Sequence, residues 1–334
     1  MSIQTAFFFF QCYIKGRLKT FTAKRVGRIL ESDTCSQNKV SGQRKMSDTS
    51  SRPAGRNHDS IHPLDDKAHM QSTLTLSTRT RHGRTVLGNC FATPPLKLLT
   101  LPPQPDGMLR AIQMSSSPGL LAGDCIRINL ALAEESALHL STQAFTRGLA
   151  MHEGGMAEQH HRISQAAGSR LIYLPHPLVL HRDSTLKQTT HIDLADNCTL
   201  IYGEITAAGR VLNHECFAFA RFSSQLHIHH RHKLLLTDNI QWQPARHPLQ
   251  TLGQMEGYSH QASLFYADTH AQAALKPLLD ALHQSLTPRF SDGLLLGMSL
   301  AADNIICLRA LANEAEILTH LLAEAAALIQ TEAV

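Results

Sequence analysis

Arg170-Leu171-Ile172-Tyr173-Leu174-Pro175-His176-Pro177-Leu178-Val179-Leu180 opens the stretch whose reading decides the fold. After it come Gly203-Glu204-Ile205, Gly209-Arg210, His214-Glu215-Cys216-Phe217 and, at the close, Leu234-Leu235-Leu236-Thr237-Asp238. The intervening segments are short, alternating and rich in Val, Ile, Thr, Tyr and Phe, the pattern of consecutive β-strands. Glu204, Arg210 and Glu215 recur among apolar neighbours. A polar group within a strand pattern must be paired or must face something wet.

Outward from this stretch the same texture continues. Residues 73–80 alternate, Arg81-His82-Gly83-Arg84 reads as a turn, and Thr85-Val86-Leu87 resumes the hairpin. Gly119-Leu120-Leu121-Ala122-Gly123-Asp124 reads as a tight loop with a carboxylate at its exit, and a strand over 125–132 follows. Asp124 suits an Asx-type turn cap; its functional reading is a buried carboxylate at a metal or partner site. No long helical period occurs over 74–242, and no internal sequence repeat is evident.

The last third changes character. Asp268 or Thr269 is placed to cap a helix carrying Leu275, Leu278, Leu279, Leu282 and Leu286, with a kink or restart at Pro277. Residues 294–300 and 305–311 flank Asp303-Asn304 as a hairpin. A final helix, capped by Asn313 with Glu316 three residues on, gathers Leu318, Leu321, Leu322, Ala325, Leu328 and Ile329 on one face. The fold class is therefore mostly β, with two helices near the C-terminus.

Composition narrows the function. Residues 1–69 carry a balance of +6, and the remaining body −2, so the body is no basic nucleic-acid binder. That leader has the wrong order of charge and apolar residues for a secretory signal. It reads as a transit peptide or as sequence upstream of a start at Met46 or Met70. Residues 47–69 are polar and expected to be disordered, and the domain proper is read as 70–334. The seven cysteines are odd in number and lack C-x-x-C, which points to a reducing, cytoplasmic compartment. No apolar run reaches the length of a membrane span.

Twenty-one histidines are the compositional anomaly. In His227-Ile228-His229-His230-Arg231-His232, His227 and His229 share a strand face and suit a surface metal site. Residues 230–233 fall where a hairpin must turn, so a polar turn is the competing reading. His176, stiffened between two prolines, is expected to hold its side chain outward. Glu204 and Glu215 are candidates for acid–base work, but no nucleophile elbow or H-E-x-x-H accompanies them. Arg210 is placed to pair with either.

The ordered set Gly119–Asp124, Leu174-Pro175-His176-Pro177, Gly203-Glu204, Gly209-Arg210, Glu215-Cys216-Phe217 and Leu308-Arg309-Ala310-Leu311-Ala312 resembles the urease accessory protein UreD family, called UreH in some bacteria. The resemblance covers roughly residues 74–329. It implies a layered, helical β-strand scaffold, no enzymatic activity and no tightly bound cofactor. It also implies partners: apo-urease, UreF and, through UreF, the GTPase UreG, with transient passage of Ni2+. It gives Asp124, Glu204, Glu215 and His176 as a nickel path and Arg210 as a structural ion pair. Pro118 and the 227–232 histidines depart from the family pattern. The alternative from another class is a metal-dependent β-fold enzyme built on the His227–His232 run.

Overall fold

The computed structural model describes residues 69–271, 274–287, 293–302 and 304–332, together with the backbone of Gln11–Ile14 and Arg17–Thr20. The readings made for the rest of residues 1–68, and for Asp303 in the hairpin turn, lie outside the described residues.

From Cys125 onward the chain coils between two stacked sheets. Strands Cys125–Leu132, Ala157–Gln165, Thr185–Leu194 and Arg221–His230 lie side by side in parallel in the first sheet, beginning beside Gln71–Arg81. Leu109–Ser115, Ala137–Thr142, Arg170–Leu174 and Thr199–Ala207 alternate with them in the second, again parallel. Antiparallel strands close each stack: Lys233–Trp242 on the first, His260–Asp268, Ile305–Ala312 and Leu294–Ala302 on the second. Gln11–Ile14 and Arg17–Thr20 pair with each other and extend the first sheet beyond Lys233–Trp242. The layered β scaffold implied by the resemblance is present.

The corners of the coil hold a repeat that the sequence reading did not find. Ala133-Glu134-Glu135-Ser136, Ala166-Ala167-Gly168-Ser169 and Ala195-Asp196-Asn197-Cys198 each carry the chain from the first sheet to the second. The third residue of each is left-handed: Glu135 at φ 53°, Gly168 at 70° and Asn197 at 55°. Successive corners stack through backbone bonds, Glu135 N–H to Ala167 O at 3.0 Å and Gly168 N–H to Asp196 O at 3.0 Å. The repeat is short and only its first residue, alanine, is the same in all three corners, so the sequence hides it.

Burial explains the different textures of the strands. In Thr185–Leu194 every second residue is buried and the others face outward, the mark of a sheet with one wet side. Ile305–Ala312 is buried at every position because the second sheet is covered on both faces. One face meets the first sheet, and the other meets α1 (Leu275–Leu286) and α2 (Ala315–Glu332) in a separate apolar cluster. On α2, Leu318, Leu321, Leu322, Ala325 and Ile329 are buried as expected. Burial of each leucine stabilises the docking by about 1.5–3 kcal/mol.

The helix starts differ from expectation. Asp268 ends a strand, and Thr269 is engaged elsewhere: its hydroxyl accepts Cys198 N–H at 2.8 Å and donates to Ala195 O at 2.9 Å. The first helix therefore begins at Leu275, where Pro277 lies within the first turn, needs no intrahelical N–H and produces no restart. The final helix begins at Ala315, and the Asn313 side chain accepts from Ser259 Oγ at 3.4 Å.

Candidate functional site

The inward positions of the strands stack in register, and most are Leu or Ile. A minority are polar, and they fall together. On the first sheet one inward column runs Ser72, Ile126, Gln159, Gln188, Ser224, Ile240; the next runs Leu74, Ile128, His161, Thr190, Leu226, Asp238. On the second sheet Gln113 pairs with Thr142, and Glu204 with Ser263 and Arg309 in turn. The result is a run of polar side chains between the two sheets.

Glu204 lies at its middle. The neighbouring Gly203 points to the other face, where a Cβ would stand 2.6 Å from Leu174 Cδ2 and 3.0 Å from Leu322 Cδ1. The missing side chain lets α2 settle on the strand while Glu204 turns inward. Its Oε1 accepts a short hydrogen bond from Tyr202 Oη, and a bond from Gln188 Nε2 at 2.6 Å. Tyr202 is in turn 3.2 Å from Thr190 Oγ1. Loss of solvation pushes the Glu204 carboxyl up to about 7, with Asp238 adding to the rise and Tyr202, Arg309 and Gln188 opposing it.

Glu204, Gln188, Gln159, His161, Thr142 and His176 border a cavity of about 30 Å³. That is the share of roughly one water in the liquid, too small for an organic substrate. His176 is bound on both sides to Thr142: its backbone N–H donates to Oγ1 at 2.8 Å, and its Nδ1 lies 3.2 Å from the same oxygen. The prolines flank it, but the contacts with Thr142 hold it inward rather than outward. His161 is 5% exposed, and neither ring nitrogen has a hydrogen-bond partner among the described residues. Burial, helped by His160, draws its imidazole down to about 4.

Gln113, Thr142, Thr146 and Gln159 also border a second pocket of about 160 Å³, bounded by Ser117, Pro118, Gly119 and Arg147. In the other direction the run passes Ser263 to Arg309, which donates to Ser263 Oγ at 2.8 Å and forms a close ion pair with Asp238. Both side chains of that pair are buried, and both line a third pocket of about 420 Å³. Polar groups thus connect two pockets through the core.

Of the residues singled out in the sequence, Glu204 and His176 meet here. Asp124 does not border the inner cavity; its oxygens accept Met70 N–H at 2.9 Å and Leu121 N–H at 2.7 Å, the contacts of a turn cap. Glu215 accepts Arg182 N–H at 2.7 Å and both Arg210 Nε and Nη2, so it holds the loop that leads to Arg221–His230. Arg210 lowers its carboxyl. Of the two partners open to Arg210, Glu215 is the one it takes. His227 and His229 share a strand face with ring centroids 6.4 Å apart, but Leu226 and Ile228 fill the core beneath them. They stand on the outer face, opposite the polar run.

A family model described as UreD urease accessory protein matches residues 70–334. The chain belongs to the UreD family. The urease accessory protein UreD of Actinobacillus pleuropneumoniae serotype 5b (strain L20) is 48% identical over 257 residues, 75% of this chain and 94% of that protein. The UreD of Haemophilus influenzae (strain ATCC 51907 / DSM 11121 / KW20 / Rd) is 48% identical over 257 residues, 74% and 98% of the two chains. The match begins where the strand pattern of the UreD-like body begins. Gln159, His161, Gln188, Asp238 and Arg309 were missed in the sequence. Their signal was a polar residue at the inward beat of an alternating strand, as in Leu186-x-Gln188-x-Thr190-x-Ile192. No helix among the described residues is long and apolar enough to cross a membrane.

Proposed function

We propose that this UreD-family chain is a non-enzymatic maturation scaffold that docks on apo-urease with UreF and UreG in the cytoplasm and passes nickel toward the urease active site through the polar run between its sheets. The observation that carries this reading is the carboxylate of Glu204 beside a one-water cavity at the middle of a buried polar run. A divalent cation entering there exchanges most of its water for Glu204, His176 and the amide oxygens of Gln159 and Gln188. Carboxylate, imidazole and carbonyl donors suit Ni2+ without holding it as thiolates would, so transfer is favoured over storage. Glu204 releases its proton as the cation arrives and regains it as the cation leaves, keeping the buried charge low in both states. Asp124, Glu215 and Arg210 shape the loops around this path.

The test is urease activation in a reconstituted system with Glu204→Gln and His176→Ala. Both variants are expected to remain folded, to bind apo-urease and to leave it with several-fold less nickel. Full nickel loading by both variants would overturn the conduit.

A further inference from the structure

On the outer face of the first sheet, away from the polar run, three metal-ligating side chains converge. Cys125 and Glu158 are directly paired on the parallel strands Cys125–Leu132 and Ala157–Gln165. His160 lies two residues beyond Glu158, hence on the same face. The Cys125 sulfur, a Glu158 carboxylate oxygen and a His160 ring nitrogen all lie within 4.8 Å of one another. Cys125 is nearly covered, at 4% exposure, while the His160 and Glu158 side chains keep 33% and 34%. An ion therefore reaches the three donors from solvent over the imidazole and the carboxylate.

The next strand orients the imidazole. Thr189 Oγ1 lies 2.6 Å from His160 Nδ1, and His160 Nε2 faces Glu158 Oε2 at 3.6 Å. In the tautomer whose Nδ1–H donates to the threonine, Nε2 carries the free lone pair toward the cluster. A hydrogen bond on the far nitrogen is how proteins fix the ring of a metal-binding histidine. Two cations border the cluster. Lys187 Nζ is 3.3 Å from Glu158 Oε1, on a side chain that is 46% exposed and free to swing away. Arg127 is drawn off by Gln71 Oε1 at 3.1 Å.

We propose that Cys125, Glu158 and His160 form a binding site for a borderline-soft divalent first-row cation, Ni2+ or Zn2+, on the outer surface. Binding replaces the S–H bond of Cys125 by a sulfur–metal bond, and the proton goes to solvent. Thiolate, carboxylate and neutral imidazole then balance the ion's charge. Three protein donors leave further positions to water, the mark of an exchangeable site rather than a closed structural one. The site is independent of the interior run and shares no residue with it.

The experiment titrates Ni2+, and Co2+ as a spectroscopic stand-in for Zn2+, into the full chain and follows thiolate-to-metal absorption together with equilibrium dialysis. The full chain is expected to show the band. Cys125→Ser, nearly isosteric, is expected to lose it with an unchanged circular dichroism spectrum. Thr189→Val is expected to weaken affinity about tenfold, the usual size of such an effect. Lys187→Met is expected to tighten binding, and Glu204→Gln to leave the band intact. Absence of any band in the full chain, or its survival in Cys125→Ser, would overturn the site.

Discussion

Arg309 and Asp238 stand 71 residues apart in sequence, yet their side chains form an ion pair between the two sheets. Asp238 comes from the closing strand of the first sheet and Arg309 from the second, so the pair ties the layers together at one end of the polar run. Both side chains are almost fully covered, at 7% and 5% exposure. A buried pair contributes little against a well-packed apolar pair, but breaking it by removing one partner costs about 3–5 kcal/mol. Arg309→Met is therefore expected to destabilise the chain by that amount in urea titrations. Arg309→Met with Asp238→Leu is expected to recover most of it. Equal losses in the single and double variants would show that the pair contributes packing rather than charge compensation.

Glu204 adds a pH dependence of known sign. Its carboxyl titrates at about 7 in the fold against an ordinary value of 4.5. Between those values the native state holds a proton that the unfolded chain has lost, so stability falls as pH rises. The contribution is fully present below pH 4.5 and gone above about 7, a span of about 3 kcal/mol. Glu204→Gln keeps a neutral side chain at all pH. The variant's stability relative to the parent is expected to rise by about that amount from pH 4.5 to 8. A pH-independent difference would mean the carboxylate is charged throughout.

His161 works in the opposite direction. Its imidazole is drawn from 6.5 to about 4 by burial, so the fold holds it neutral. Its contribution is present above pH 6.5 and is lost as pH falls through 4, again about 3 kcal/mol. His161→Leu matches Ile128 beside it and Leu226 two strands away in the same inward column, and it is expected to shift the acid-unfolding midpoint downward. An unchanged midpoint in acid titrations followed by circular dichroism would place the acid-labile group elsewhere.

Much of this architecture was legible because alternation survives in the chain. The strands over residues 170–238, the turn at Arg231-His232 and the apolar face of α2 are local patterns, and local patterns read directly. The outward or inward aim of His176 is not local: it depends on Thr142, 34 residues earlier, reaching its backbone N–H. The strand His260–Asp268 escaped notice because it is buried on both faces and lacks alternation. The Arg309–Asp238 pair depends on which strands close which sheet, and one sequence does not carry that information. The corner repeat was present in the letters, but three four-residue units that share only their first alanine do not stand out without the stacking that gives them meaning.

Gly209 is the remaining local test. Its φ is +150°, and a Cβ there would stand 2.1 Å from the carbonyl oxygen of Glu215, a backbone atom that cannot rotate away. Gly209→Ala must therefore move the chain between residues 209 and 215. That breaks the contacts of Glu215 with Arg182 N–H and with Arg210. Strain of this kind costs about 1–3 kcal/mol. The loop beyond it is largely outside the core, with Leu212 97% exposed, so the cost is expected to appear as local opening. Amide exchange at Arg182 and over 210–217 is expected to accelerate, while the stacked strands keep their protection. Loss of protection throughout both sheets would instead place this loop within the cooperative core.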